Sequence, residues 1–165
     1  MDARLNAPVW RHDAYTLRGL QAAIQTQLSL LEREGSSDQA SVVVDLGAGD
    51  APYRSLFEDR YGRYVACDLL PGPGIDLVFD ESGRLPLDSG CADCVVSFQV
   101  LEHVWDIDAY LAECLRLLSS QGRLMISTHG TWLYHPHPTD FRRWTAMVCV
   151  ESWRSGVLLL NLFSL

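Results

Sequence analysis

"VVVDLGAGDAPY", residues 42–53, decides the fold. A short apolar run gives way to Gly47 and Gly49, which are flanked by Asp45 and Asp50 and followed by Pro52. Such a run reads as a strand buried on both faces of a parallel sheet. Glycines that follow it let a backbone come close to a ligand.

Outward from this stretch the pattern alternates. Upstream, Leu17, Leu20, Ile24, Leu28 and Leu31 recur at helical spacing over residues 14–34, with Gly35 as a stop and a polar connector to residue 41. Downstream, residues 51–61 predict a helix opening at Ala51 with Pro52 in its first turn. Residues 63–68, 75–80 and 92–99 predict further strands. A helix is expected over 106–122, capped by Asp106 or Asp108, striped by Leu111, Leu115 and Leu118, and stopped by Gly122. Residues 123–129 complete a fifth strand. The expected fold is α/β: a Rossmann-like, doubly wound, mainly parallel sheet with helices on both faces and ligands at the carboxyl ends of its strands. Residues 1–40 form the leading helix and connector, 41–145 the core and 146–165 a short apolar tail.

Composition narrows the chemistry. The 165 residues are 48% hydrophobic, enough for one domain with a real core. All 13 cations are arginine, which excludes lysine Schiff-base chemistry and the P-loop lysine. The net charge of −8 opposes a broad nucleic-acid footprint. Five scattered cysteines suit a reducing compartment, and the Cys91/Cys94 pair lacks a redox context. With no leader-like start and no long apolar run, the expected location is cytoplasmic, without a membrane span.

The glycine turn admits a dinucleotide or another adenosine-bearing cofactor. Charge separates them. The dinucleotide fingerprint requires a third glycine where Pro52 stands, and Asp50 lies where a pyrophosphate would rest. A unit charge pair at about 5 Å and an effective dielectric near 20 is worth roughly 3 kcal/mol. S-adenosylmethionine, with its ammonium and sulfonium, suits an acidic turn better. Asp68, ending the second strand, is placed for ribose hydroxyls in either case.

These pieces resemble the class I S-adenosylmethionine-dependent methyltransferases, most closely their type 11 domain. The resemblance rests on "VVVDLGAGDAPY", "YVACDL", "FDESGRLPLDSGCADCVVSFQVLEHV" and "GRLMIST", in the family's order over about residues 42–129. It implies cofactor contacts from Asp45, Gly47, Ala48, Gly49, Asp68, Leu69 and Gln99, and adenine contacts from Asp80 or Glu81, with Ser82 open because this loop is one residue long for the family. Asp45 is equally readable as a brace for loop N–H groups. The family's third loop glycine is Ala51 here. Members continue past "TDFRRWT" into a helix, a sixth strand and an antiparallel seventh. Only 20 residues follow Thr145, so the chain is expected to be truncated or altered there, with the final antiparallel strands missing, one strand at most from residues 157–165, and self-association through the apolar tail.

Acceptor-side candidates are less specific. His129, ending strand five, and His103, in "LEHV", are candidate general bases, although a helix-opening histidine such as His103, like its neighbour Glu102, is as readily structural. The segment around residues 135–145 resembles an acceptor-side lid of some relatives, where His135, Arg142 and Arg143 would meet the acceptor and the arginines an anionic one, although an ordinary surface pair is the commoner reading of two arginines. His135, His137 and Asp140 are ligand types, but intervening prolines and the lack of a fourth ligand leave no metal expected. The expected reaction is methyl transfer to a small-molecule acceptor. The alternatives are a catalytically inactive cofactor-binding fold and an NAD-dependent oxidoreductase.

Overall fold

The computed structural model describes residues 4–33, 41–136, 138–145 and 157–159. After helix α1 (Ala14–Arg33) come β1 (Val42–Leu46), α2 (Arg54–Glu58), β2 (Arg63–Asp68), β3 (Leu77–Val78), β4 (Ala92–Phe98), α3 (Ile107–Leu117), β5 (Leu118–Ser127) and β6 (Val157–Leu159). The sheet order is β3-β2-β1-β4-β5-β6, and every pairing is parallel. The order reverses between β1 and β4, which places a crevice at their carboxyl ends.

Alternation along β1 explains the layers. Val43 packs with Leu20, Ile24 and Leu28 of α1 and Phe57 of α2 on one face, whereas Val44 and Leu46 pack with Cys114 and Leu117 of α3 on the other. Leu17, expected in the apolar stripe of α1, instead lines a cleft described below.

Several boundaries differ from expectation for physical reasons. Ala51 has φ 49°, a left-handed conformation that cannot open a helix, so α2 begins at Arg54 and is five residues long. The third strand shrinks to Leu77–Val78, and just before it the Asp76 carboxylate takes the Ala66 N–H (2.8 Å) and pairs with Arg54 (3.1 Å). Asp106 is the N-cap of α3, accepting from the Ala109 N–H at 3.0 Å. That helix stops at Leu117, not Gly122, and β5 starts at once. A Cβ on Gly122 would lie 2.9 Å from the Ala92 carbonyl oxygen, so the glycine serves strand packing. The buried stripe of α3 is Cys114 and Leu117, and Leu115 is exposed.

The apolar run after residue 156 supplies one described strand, β6, which adds to β5 in parallel register with Leu124 opposite Val157. Among the described residues no antiparallel strand is present. Residues 146–156 and 160–165, which carry the expectation of tail-mediated association, lie outside the described residues, as does His137. Among the described residues, no helix is long and apolar enough to cross a membrane.

Candidate active site

The glycine turn is built by backbone geometry. The N–H groups of Gly47 and Ala48 both donate to the Cys67 carbonyl, at 2.8 and 3.0 Å, which folds the turn over the end of β2. Gly47 has φ 77°, and a Cβ there would meet Val100 at 2.6 Å. No other residue fits. Gly49, at φ 58°, has open space where its Cβ would be, so the glycine leaves room for a ligand. Its N–H donates to Asp68 Oδ2 at 2.8 Å, while Oδ1 accepts the Leu69 N–H at 2.7 Å. Each carboxylate oxygen retains a lone pair, enough to accept two vicinal hydroxyls.

Asp45 is buried beneath this turn and accepts the Tyr64 hydroxyl. Burial pushes its carboxyl up to about 7, against the pull of the Tyr64 hydrogen bond. Burial, and then the charge of Asp45, raises the Tyr64 phenol in turn. The hydrogen bond shown for the Asp45 side chain runs to Tyr64, and none is shown to the loop N–H groups that one of its two readings had it brace. Tyr64, which puts a hydroxyl among the buried residues of β2, was a legible signal that the sequence reading passed over.

Asp80 follows β3, beside the end of β2: the Phe79 N–H donates to the Asp68 carbonyl at 3.1 Å. Its Oδ1 accepts from the Ser82 N–H (2.8 Å), the Ser82 hydroxyl (2.6 Å) and the Arg84 N–H (2.9 Å), and these bonds, the Ser82 hydroxyl first, hold the carboxyl below its ordinary range. Asp80 thus shapes its loop, and Glu81 is exposed beside it.

Gln99 ends β4 with φ 60°, a strained value for a residue with a side chain. Its N–H donates to the Ser127 carbonyl and its Nε2 to the Ser127 hydroxyl, both at 2.9 Å. Its Oε1 is buried without a partner among the described residues, free to accept from a ligand donor. Gln99 also lines a cleft of about 240 Å³ shared with His103, His129, His135 and Trp132. The far wall comes from the leading segment, through Arg4, Arg11 and Leu17. Sequence reasoning missed this wall, because residues before α1 carry no pattern that docks them onto strand ends.

The histidines are fixed from behind. Glu102, fully buried, sits 3.0 Å through Oε1 from His129 Nε2 and accepts the Thr128 hydroxyl on Oε2 at 3.0 Å. Burial raises the Glu102 carboxyl, but the His129 bond and charge outweigh it, leaving it below its ordinary value. The His129 ring stacks on Trp132 at 5.4 Å. His103 Nδ1 bonds the Thr139 carbonyl, and the Thr139 hydroxyl donates to the His103 carbonyl at 2.9 Å. The Phe141 and Trp144 N–H groups bond the Glu102 and His129 carbonyls, so residues 139–144 strap the ends of β4 and β5 together.

The two arginines expected to meet an acceptor bind elsewhere. Arg143 spends every donor inside the protein: on both Asp140 oxygens and on the carbonyls of Trp132, Leu133 and Arg142. All five of its N–H groups are thus used within the protein. Arg142 donates to the Trp105 carbonyl at 2.8 Å and lies over that ring, away from the cleft. His135 alone of the three reaches the cleft.

The family model described as a methyltransferase domain, type 11, matches residues 44–126. A probable S-adenosylmethionine-dependent methyltransferase of Mycolicibacterium smegmatis is 29% identical over 103 residues, covering 57% of this chain and 40% of that protein. Demethylmenaquinone methyltransferase of Thermobifida fusca is 31% identical over 99 residues, covering 52% of this chain and 42% of that protein. The matches thus span about two fifths of the length of these relatives. Among solved structures, Burkholderia thailandensis 1,6-didemethyltoxoflavin-N1-methyltransferase, with bound 1,6-didemethyltoxoflavin and S-adenosylhomocysteine, superposes with a TM-score of 0.58 at 24% identity, covering 88% of this chain and 71% of that one. That likeness bears on the fold. The family match runs from β1 into β5, through every strand end that forms the glycine-turn site and over half the chain; this chain belongs to the methyltransferase domain family.

Proposed function

We propose that the protein transfers a methyl group from S-adenosylmethionine to a small-molecule acceptor held in the 240 Å³ cleft. One observation carries the reading: the Gly49 N–H and the Asp68 carboxylate face each other at 2.8 Å, with open space above Gly49. That pair offers hydroxyl-accepting lone pairs beside a backbone that a ligand can approach. Family membership and the relatives' names support the same cofactor, and the failed dinucleotide fingerprint opposes NAD.

In this reading Gly47, Ala48 and Gly49 form the floor, and Asp68 with Leu69 takes the ribose. Asp80, Glu81 or Ser82 borders the adenine. Gln99 offers its unpartnered Oε1 to a cofactor donor, and Asp45 supplies buried negative potential beneath a cation. When bound, the cofactor supplies a methyl carbon on a sulfonium, an excellent leaving group. The protein mainly positions the acceptor, and needs a base only where the attacking oxygen or nitrogen is protonated. His129 suits the role of base, because it lines the cleft and its Nε2 is tied to Glu102, which leaves Nδ1 to take a proton.

The two relatives named for their acceptors act on ring compounds, a demethylmenaquinone and a didemethyltoxoflavin. A cleft walled by Trp132 and three histidines suits a flat ring of that kind. The test is release of S-adenosylhomocysteine during incubation with S-adenosylmethionine and a panel of quinols, phenols and N-heterocycles. Turnover with one ring class that is lost in Asp68→Ala supports the reading, and no turnover across the panel contradicts it.

A further inference from the structure

Two of the histidines that line the cleft, His103 and His135, stand beside the buried carboxylate of Glu102. Among the described residues, Glu102, His103 and His135 bring a carboxylate oxygen and two imidazole nitrogens within 4.8 Å of one another. We propose that these three side chains bind a divalent transition-metal ion of the zinc class, with an open coordination position facing the cleft.

Three features carry this. The first is tautomer control. His103 Nδ1 is held by the Thr139 carbonyl, and His135 Nδ1 lies 3.3 Å from the Leu133 carbonyl and 3.5 Å from Asp140 Oδ2. An Nδ1 that donates leaves Nε2 with its lone pair, the atom a metal takes. Ligating histidines characteristically donate their other N–H to a carbonyl or carboxylate in this way.

The second is ring placement. Two imidazoles bound at about 2.1 Å to one tetrahedral ion have centroids about 5.2 Å apart. The His103 and His135 rings are 5.0 Å apart and inclined at 76°. Ligand atoms on such an ion are about 3.4 Å apart, so side-chain movement of about an ångström closes the site.

The third is the carboxylate. Glu102 is fully buried, and its Oε2 accepts the Thr128 hydroxyl at 3.0 Å, whereas Oε1, 3.0 Å from His129 Nε2, has no hydrogen bond of good geometry among the described residues. Lone pairs on both oxygens are thus available to a cation. His129 stays outside the ligand set as the group that orients Glu102. Two imidazoles and a carboxylate match zinc-class ions, not calcium or magnesium, which prefer all-oxygen ligands.

The set departs from the sequence expectation. Asp140 is committed to Arg143, while Glu102 and His103 come from the short helical turn, Leu101–His103, that follows β4. No sequence spacing links residues 102 and 103 to residue 135.

The proposal is independent of the cofactor and is tested by binding alone. Untagged full-length protein is titrated with cobalt(II) and followed by visible absorption, with zinc competition. One equivalent should bind with the absorption of a four- or five-coordinate ion and be displaced by zinc. His135→Ala and His103→Ala should each weaken binding by about tenfold or more, whereas His12→Ala, at an exposed histidine outside the cleft, should not. S-adenosylhomocysteine affinity and the circular dichroism melt report whether each variant is folded. Absence of stoichiometric cobalt binding by the wild type, or unchanged affinity in folded His135→Ala, overturns the proposal.

Discussion

The backbone N–H of Gly49 donates to the carboxylate of Asp68 at 2.8 Å, joining the turn after β1 to the end of β2. The bond couples the shape of the glycine turn to the residue read as the ribose acceptor. On the proposed reading, losing the carboxylate removes both ribose contacts and loosens the turn.

Asp68→Ala should lower affinity for S-adenosylhomocysteine by about 1.5–3 kcal/mol, the worth of hydrogen bonds to a charged group. Asp68→Asn, which keeps one acceptor, should fall between. Isothermal titration of the three proteins measures the series. Equal affinities would remove Asp68 from the site.

The two glycines should fail differently. Gly47→Ala meets both a left-handed backbone and Val100 at 2.6 Å, so it should destabilise folding by about 2–3 kcal/mol, of which Val100→Ala recovers only the steric part. Gly49→Ala meets only the backbone penalty, about 1 kcal/mol, but fills the space over the turn and should weaken cofactor binding more than folding. Urea melts paired with ligand titration separate the two.

The Asp45 carboxyl, raised by burial from 3.8 to about 7, gives a pH signature. A carboxyl that holds its proton more tightly folded than unfolded contributes stability that is full below about 4 and declines as pH rises to about 7. Asp45→Asn should flatten stability across that window and be the more stable protein above it. A cationic ligand nearby favours the ionised form, so the preference for S-adenosylmethionine over neutral-sulfur S-adenosylhomocysteine should grow with pH in the wild type but not in the variant. Melts and titrations at pH 5 and pH 8 check both.

Arg143→Lys should lower the melting temperature while leaving cofactor affinity unchanged. A lysine ammonium cannot span the five acceptors that the guanidinium fork satisfies around Asp140, Trp132 and Leu133. A differential scanning experiment with and without S-adenosylhomocysteine shows whether the ligand-induced shift survives.

The cofactor half of this molecule was legible because its signals are local. A buried run ending in Gly47 and Gly49, and Asp68 closing the next strand, each follow from a few adjacent residues. The family match over residues 44–126 bears on the same stretch. The cleft beside it was not legible, since its groups meet only through the fold. His135 joins His103 across 32 positions, and Arg11 arrives from before α1. Arg143 looked like a free cation because nothing in "TDFRRWT" shows that three carbonyls and a carboxylate converge on it. Boundary errors had similarly non-local causes: Ala51 turns left-handed over the glycine floor, and Gly122 yields to the neighbouring strand at Ala92.

The central claim is that the Gly47–Gly49 turn and Asp68 hold an adenosine-bearing methyl donor. The most direct measurement is calorimetric titration of the protein, and of Asp68→Ala, with S-adenosylhomocysteine and with NAD. One S-adenosylhomocysteine site, weakened about tenfold or more in the variant, and no NAD binding are expected. Binding of NAD alone, or S-adenosylhomocysteine binding that Asp68→Ala leaves intact, would contradict it.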